Sequence, residues 1–350
     1  MQTDSTQTTI QKMMTTTPPA FSGADAIDIA ASHFGIHAEV RPLVSERDQN
    51  FRLDAKDGKR YTLKISNEAE QEAVIDFQNR ALLHVAERDF SLPLPRVVPC
   101  LDGQLHCSVE HGGATHFVRV LSWLDGKVLS GVTVSVQLAN QLGRLLARLH
   151  LALRDFDHPG SNPPLLWDMK RASGLRDLLV HVEDDELRPL IAQTLDRFDS
   201  KVKPVLDTLR TQVIHSDVNL DNVLIDEAQP ECISGLIDYG DLVKSPLIID
   251  LAIAVAYQLG HGDDPLNNAL PIIEGYHAVQ PLQGLEMELL ADLIKTRLIT
   301  SLLIHSYRVT LFPENREYLM TSQDSAKNFL FNLDRQDVDR AVQRIRAACV

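Results

Sequence analysis

Positive charge is in short supply in this chain. Its 34 Lys and Arg residues face 48 Asp and Glu, a formal net charge of −14. A surface of that sign repels polyanions, so neither nucleic acid nor an anionic membrane is an expected partner. Cysteine is also scarce. Cys100, Cys107, Cys232 and Cys349 form no C-x-x-C pair and complete no zinc site. Four scattered thiols fit small core residues in a reducing cytosol. The N-terminal stretch MQTDSTQTTIQKMMTTTPPA has no apolar run and does not read as a signal peptide; residues 1–21 are expected to form a disordered tail. The most apolar later stretch, residues 246–260, contains Asp250 and is too short to span a bilayer. No internal repeat is visible. These absences place the chain in the cytoplasm, away from membranes.

What is present suffices for a large core. The 350 residues are 44% hydrophobic and 23% charged, enough for two domains or two lobes of one enzyme. Residues 23–34 have helical spacing, stopped by Gly35. Residues 39–43, 50–55 and 60–65 read as strands, and Asp57-Gly58 turns the last two into an antiparallel pair. Residues 68–88 read as a helix with Val74, Phe77, Ala81, Leu82 and Val85 on its apolar side. Residues 105–110 and 115–121 form a second hairpin around Gly112-Gly113. Beyond residue 122 the pattern turns helical, over 134–153, 174–180, 187–209, 295–309 and 336–348, around a β-rich island at 213–237. This is an α+β pattern, a small antiparallel β lobe with one inserted helix (22–121) followed by a larger helical lobe (122–350).

The island carries the chemistry. Val213-Ile-His-Ser-Asp-Val-Asn-Leu-Asp-Asn-Val-Leu-Ile225 sets His215, Asp217 and Asn222 in the order H-x-D-x-x-x-x-N between two apolar anchors. Further on, Gly235-Leu-Ile-Asp-Tyr-Gly-Asp241 delivers Asp238 from a strand end into a turn that Gly240 permits. Phosphoryl transfer requires such a set, because it depends on positioning and on neutralising spread negative charge. Asp217 is the expected catalytic carboxylate, with His215 in support. Asn222 and Asp238 offer the oxygen ligands that Mg²⁺ favours. A polar turn between two strands would explain Asp217 and Asn222 alone, but not Asp238 downstream.

Lys64, late in the strand Tyr61-Thr-Leu-Lys-Ile65, is expected to contact nucleotide phosphates. Its acid partner is expected on the following helix, where Glu68, Glu70, Glu72 and Asp76 are available and Asp76 lies beside the apolar face. Gln78 stands where a kinase often carries Glu. The loop 45–50 has no glycine, and Ser45 and Asn50 are its candidate nucleotide contacts. Asp250 must find donors if it is buried, either by capping a helix or by bracing the catalytic loop.

These motifs resemble the aminoglycoside phosphotransferase and choline kinase superfamily. Within it, residues 41–51, 61–67, 77–79, 118–124 and 311–319 are similar to the hydroxylysine kinase branch. The resemblance spans residues 22–345 and implies a protein-kinase-like two-lobed fold. It also implies Mg²⁺ dependence and transfer from GTP or ATP to the 5-hydroxyl of hydroxylysine. By matching motif it implies Asp217 as base, Asn222 and Asp238 as metal ligands and Lys64 on the phosphates. Residues 119–123 match the hinge, where Arg119, Leu121 and Trp123 would meet the base through backbone groups. A small cationic or zwitterionic hydroxylated substrate needs acids and one cation. Asp241 is a candidate ammonium partner, Arg297 a candidate carboxylate clamp, and Trp167 and Asp168 candidate walls; for each, a structural role competes. Another amino alcohol (homoserine, choline or an aminoglycoside) is the alternative acceptor, and a nucleotide-binding pseudokinase the alternative of another class.

Overall fold

The first helix is fixed by its caps. Ser22 accepts the N–H of Asp25 while the Asp25 carboxylate accepts the N–H of Ser22, and Gly35 closes the far end at φ 67°. The result is α1, Gly23–Phe34. The computed structural model describes residues 18–45, 47–260, 264–313, 323–336 and 338–350. Most of the expected tail, position 46 of the 45–50 loop and residues 314–319 of the C-terminal resemblance lie outside them.

The chain divides into two compact units. One consists of the chain up to Gly126 with Phe156–Pro164 and Ser234–Gly240; the other of Lys127–Asp155, Leu165–Ile233 and the chain from Asp241 onward. The sequence suggested a single break after residue 121. Local contacts instead tie two later segments to the first unit: the Leu236 N–H reaches Pro93 O at 3.0 Å, and Phe156 stacks on Phe77 at 6.0 Å.

In the first unit, β1 (Ala38–Leu43), β2 (Gln49–Ala55), β3 (Arg60–Ile65), β4 (Val97–Val98), β5 (Cys107–His111) and β6 (Ala114–Ser122) form one antiparallel sheet. Its order is β1-β2-β3-β6-β4, with β5 also on β6. Strand periodicity sorts its two faces. Phe51, Leu63 and Val120 lie opposite one another and join Ala26, Ile29, Ala30 and Phe34 of α1 in the core. One residue along, Asn50, Lys64 and Arg119 form a polar row on the other face. The inserted helix, α2, starts at Glu72 rather than 68. Asn67 explains the delay. Its side-chain oxygen accepts the Ala69 N–H at 2.9 Å, while its own N–H and Nδ2 bond the Asp48 carboxylate, and that local turn competes with helix.

In the second unit, β7 (Lys127–Val128) pairs with β9 (Val223–Ile225), and β8 (Thr211–Ile214) with β11 (Val243–Pro246). Between Ile225 and Val243 the chain passes through β10 (Ile233–Leu236). Helices α3 (Val136–Leu153), α4 (Leu187–Arg197), α5 (Leu247–Ala256), α6 (Leu270–Val279), α7 (Gly284–Leu311), α8 (Gln323–Asp334) and α9 (Val338–Ala347) supply the bulk. Two expected helices differ. Residues 169–181 are 3₁₀ throughout, and the helix from 187 loses its α register at Phe198–Val202 and Lys203–Thr208. Pro204 explains the second, since it has no N–H for the ladder. The sequence reading found only the buried start of α5 and missed α6 and α8, whose apolar stripes are short. All ten residues of α5 are buried. Among the described residues no helix is long and apolar enough to cross a membrane.

Helices α3 and α6 touch backbone to backbone. A Cβ on Gly143 would lie 2.0 Å from Ile272 O, and one on Gly275 2.1 Å from Asn140 O. Neither neighbour is a flexible side chain, so the helices must separate to admit even a methyl group. Gly143→Ala and Gly275→Ala are each expected to cost about 2 kcal/mol or more. Thermal melts of the single variants test this, and a midpoint within about 1 °C of the parent would contradict it.

Candidate active site

Strand β8 ends at Ile214 and hands the chain to His215, Ser216 and Asp217. The loop that follows is braced from below. Asp250, fully buried in α5, accepts the N–H of His215 at 2.9 Å and of Ser216 at 2.8 Å, and His150 Nε2 at 2.9 Å. Burial pushes its carboxyl pKa up, but the hydrogen bond and charge of His150, the nearby His215 and the Ser216 N–H outweigh that and hold it below the usual carboxylate value. Asp250 therefore braces the loop and does not serve as a simple helix cap. His150 in turn bonds Tyr276 Oη at 2.8 Å. The brace permits strain: Ser216 has φ 67°.

Asp217 is held through both oxygens. Oδ2 accepts Asn222 Nδ2 at 2.8 Å and Asn219 Nδ2 at 3.0 Å; Oδ1 accepts Arg297 Nη2 at 3.2 Å. His215 Nδ1 accepts the Asp217 N–H at 3.2 Å. Asn222 also donates Nδ2 to Asp217 O at 2.9 Å. The structure thus brings together Asp217, Asn222, His215 and Asp250, all named from the sequence.

Arg297 is 2% exposed. Its guanidinium carbon lies 5.0 Å from the Trp167 ring centroid and 5.4 Å from that of Tyr257, whose hydroxyl accepts Nη2 at 2.9 Å. Nε and Nη1 are sealed from solvent without a hydrogen-bond partner. An unpaired buried donor costs about 1–3 kcal/mol, which stacking on two rings only partly offsets. Burial alone would lower the pKa of Arg297, but Tyr257, Asp217 and Asp241 together raise it. Beyond Trp167, His305 is pushed down to about 4 by burial and by the nearby Arg308 and Arg297.

In the first unit, Lys64 Nζ meets Asp238 Oδ1 at 3.1 Å. Asp238 has φ 59°, and its carboxylate also accepts the Gly240 N–H at 3.2 Å. The Lys64 charge holds its pKa well below the usual carboxylate range, helped by the Lys64 hydrogen bond, Arg47 and the Gly240 N–H against a desolvation penalty. The Gln78 side chain donates to Gly240 O at 2.9 Å and pins the turn to α2. Arg47, from the β1–β2 loop, points its Nη2 to within 3.8 Å of where a Gly240 Cβ would stand, on the side facing Asp238 Oδ1.

Several expected positions are corrected. Asp76 does not pair with Lys64; it bonds Arg80 at 2.8 Å and His158 at 3.1 Å, while Lys64 takes Asp238. Glu70 is raised by burial and by Asp48. Trp123 donates its backbone N–H to Arg60 O at 3.0 Å, so this group is not available to read a base, and its ring lies 5.1 Å from the Arg52 guanidinium. Arg119 is buried beside Lys64 and bonds Asn79 Oδ1 at 3.2 Å. Leu121 is buried in β6 opposite Thr62 and Val97. Ser45 is half-buried, and Asn50 Oδ1 is buried without a partner. Asp168 caps the 3₁₀ segment through the Lys170 N–H at 3.1 Å and neighbours Arg171 at 3.5 Å. Asp241 is buried and adds its charge beside Arg297. Sequence reasoning missed Arg47, Asn219, Tyr257 and His150. The loop spacing could have offered Asn219; the other three have no local signal.

The chain matches the phosphotransferase enzyme family over residues 39–282, and it belongs to that family. It is a phosphotransferase. It is 30% identical to hydroxylysine kinase of Danio rerio over 92% of this chain and 95% of that protein, and 28% identical to hydroxylysine kinase of Mus musculus over 92% of each. Among solved structures it resembles an amicoumacin kinase in complex with AMP-PNP and Ca²⁺. That match has a TM-score of 0.66 at 14% identity and covers 91% of this chain and 97% of the other. The fold is therefore the protein-kinase-like fold of this family, with a small antiparallel β part and a larger helical part.

Asp250→Ala would leave the His215 and Ser216 N–H groups and His150 Nε2 without their acceptor. The expected cost is about 3–5 kcal/mol in urea unfolding. Because the folded carboxyl is depressed, its stabilisation is present above the unfolded pKa near ~3.9 and is lost as pH falls through the folded value. The difference between parent and variant should therefore shrink in acid. A pH-independent difference, or one below about 1 kcal/mol, would count against the brace.

Proposed function

We propose that the chain moves the γ-phosphate of ATP or GTP to the hydroxyl of a small amino-bearing alcohol, with 5-hydroxylysine the favoured acceptor. The observation that carries this reading is the Asp217 carboxylate, fixed through both oxygens by Asn219, Asn222 and Arg297 on a braced loop. A carboxylate so held can orient an acceptor hydroxyl and take its proton as the new bond forms. The relatives named hydroxylysine kinase support the acceptor.

Each of two residues is by itself suited to a divalent cation such as Mg²⁺: Asp238, in the first unit, has a depressed pKa and is half exposed, and Asn222, in the second, carries an amide oxygen of the kind a hard cation takes. Among the described residues no group of three or more His, Cys, Asp and Glu could hold a metal ion. When bound, such an ion neutralises phosphate charge. On the nucleotide side, Lys64 and Arg47 supply positive charge near Asp238. Asn50 lies opposite Lys64 in the strand register. Asp241 is the candidate partner for a substrate ammonium.

A screen of hydroxylated amino acids and amino alcohols, with ATP and GTP in parallel, tests the reading. Hydroxylysine should be turned over best. Preference for homoserine, choline or an aminoglycoside would move the acceptor but keep the chemistry; no phosphate transfer to any of them would overturn the proposal. Asp217→Asn should lower kcat by at least about a hundredfold with nucleotide binding nearly unchanged. Undiminished turnover would show the base to be misassigned. Asp238→Ala should raise the Mg²⁺ concentration needed for half-maximal rate, and an unmoved metal titration would contradict its role.

A further inference from the structure

Three elements of the second unit converge on one guanidinium. Arg297 comes from the middle of α7, Trp167 from the chain just before the 3₁₀ segment, and Tyr257 from the end of α5. The two rings lie 5.0 and 5.4 Å from the guanidinium carbon, and Nη2 bonds both Tyr257 Oη and Asp217 Oδ1. The two remaining nitrogens are closed off. That enclosure favours an internal role for Arg297 over the substrate clamp expected from the sequence. Simple charge neutralisation does not account for the arrangement either. A Lys would neutralise Asp217 with less shape and fewer fixed contacts, whereas the stacked planar group fixes direction as well as charge.

We propose that Arg297 is a positioning residue for the phosphoryl-acceptor chemistry, holding Oδ1 of Asp217 so that the carboxylate keeps the one orientation that meets the acceptor hydroxyl. Asn219 and Asn222 hold Oδ2. With both oxygens tied, the side chain cannot rotate about its last bond without losing a hydrogen bond at one end. The Tyr257 hydroxyl and the two rings within 5.4 Å limit the freedom of the guanidinium in turn. The inference rests on the reading of Asp217 as the group that orients the acceptor.

The test has two readouts, so that failure of the acceptor assignment is separable from failure of this proposal. The first is structural and needs no turnover. In a crystal structure of Arg297→Met, Asp217 should leave its present rotamer; an unmoved Asp217, still on Asn219 and Asn222, would overturn the proposal. The second is kinetic, with the best acceptor from the screen. Arg297→Met should lose about a hundredfold in kcat, the scale on which small misplacements of a catalytic group act, while the KM values for nucleotide and acceptor stay within about twofold. Arg297→Lys should recover part of kcat. Millimolar guanidinium added to Arg297→Ala should raise kcat saturably by filling the space between the rings. Tyr257→Phe, which keeps the ring and removes one oxygen, should lose only several-fold and serves if the larger changes prevent folding. Unchanged kcat in folded Arg297→Lys and Tyr257→Phe would overturn the proposal. So would a raised acceptor KM at constant kcat, which would return Arg297 to the role of substrate clamp.

Discussion

One buried carboxylate sets the geometry of the second unit. Asp250 gathers two adjacent backbone N–H groups and one imidazole. Adjacent N–H groups in an extended chain point to opposite sides, so a single carboxylate can take both only where the backbone turns sharply. Ser216, at φ 67°, is that turn. The carboxylate and the strain are therefore one feature: the bonds hold a conformation that a non-glycine residue otherwise avoids. His150 carries the constraint outward, because its other nitrogen meets Tyr276 on α6, and α6 lies against α3 at the two glycines. The direction of Asp217 thus traces back to helix packing, through two hydrogen bonds and one buried imidazole.

Asp238 repeats the logic in the first unit. Among the described residues, Ser216 and Asp238 are the non-glycine positions with positive φ. Each belongs to a segment that presents a carboxylate, and each is held by bonds from distant parts of the chain. For Asp238 these come from Lys64 and, through the Gly240 carbonyl, from Gln78. The Gln78 amide donates to backbone, and Lys64 takes its acid from Asp238, 174 positions along the chain, and not from α2.

The parts legible in the sequence were those whose signal is local. The strands around Phe51 and Leu63, the Asp57-Gly58 turn and the Gly35 stop of α1 each involve residues a few positions apart. The loop after β8 was legible for the same reason, since Asp217, Asn222 and their apolar anchors lie within thirteen residues. What stayed hidden depends on contacts across long stretches of chain. Tyr257 is a plain helix-terminal tyrosine until Arg297 stacks on it. Arg297 is legible as a cation on an apolar helix, but its burial beside Trp167 and Tyr257 comes from contacts far along the chain. For Asp168 the donors at Lys170 and Arg171 are local, but the 3₁₀ geometry that turns them toward it is not.

The two carboxylate–cation pairs differ in a way that matches their roles. Lys64 and Asp238 are separated by 174 positions, and the aspartate is half exposed. The Lys64 charge holds the Asp238 carboxyl well below the usual carboxylate range, and the open side of the aspartate leaves its carboxylate within reach of a further ligand. Arg297 and Asp217 are separated by 80 positions, with the arginine almost fully enclosed. Breaking that pair leaves a buried charge uncompensated, which is expensive. On the function proposed for this chain, the first pair suits groups that take a further ligand, and the second suits a carboxylate whose requirement is direction.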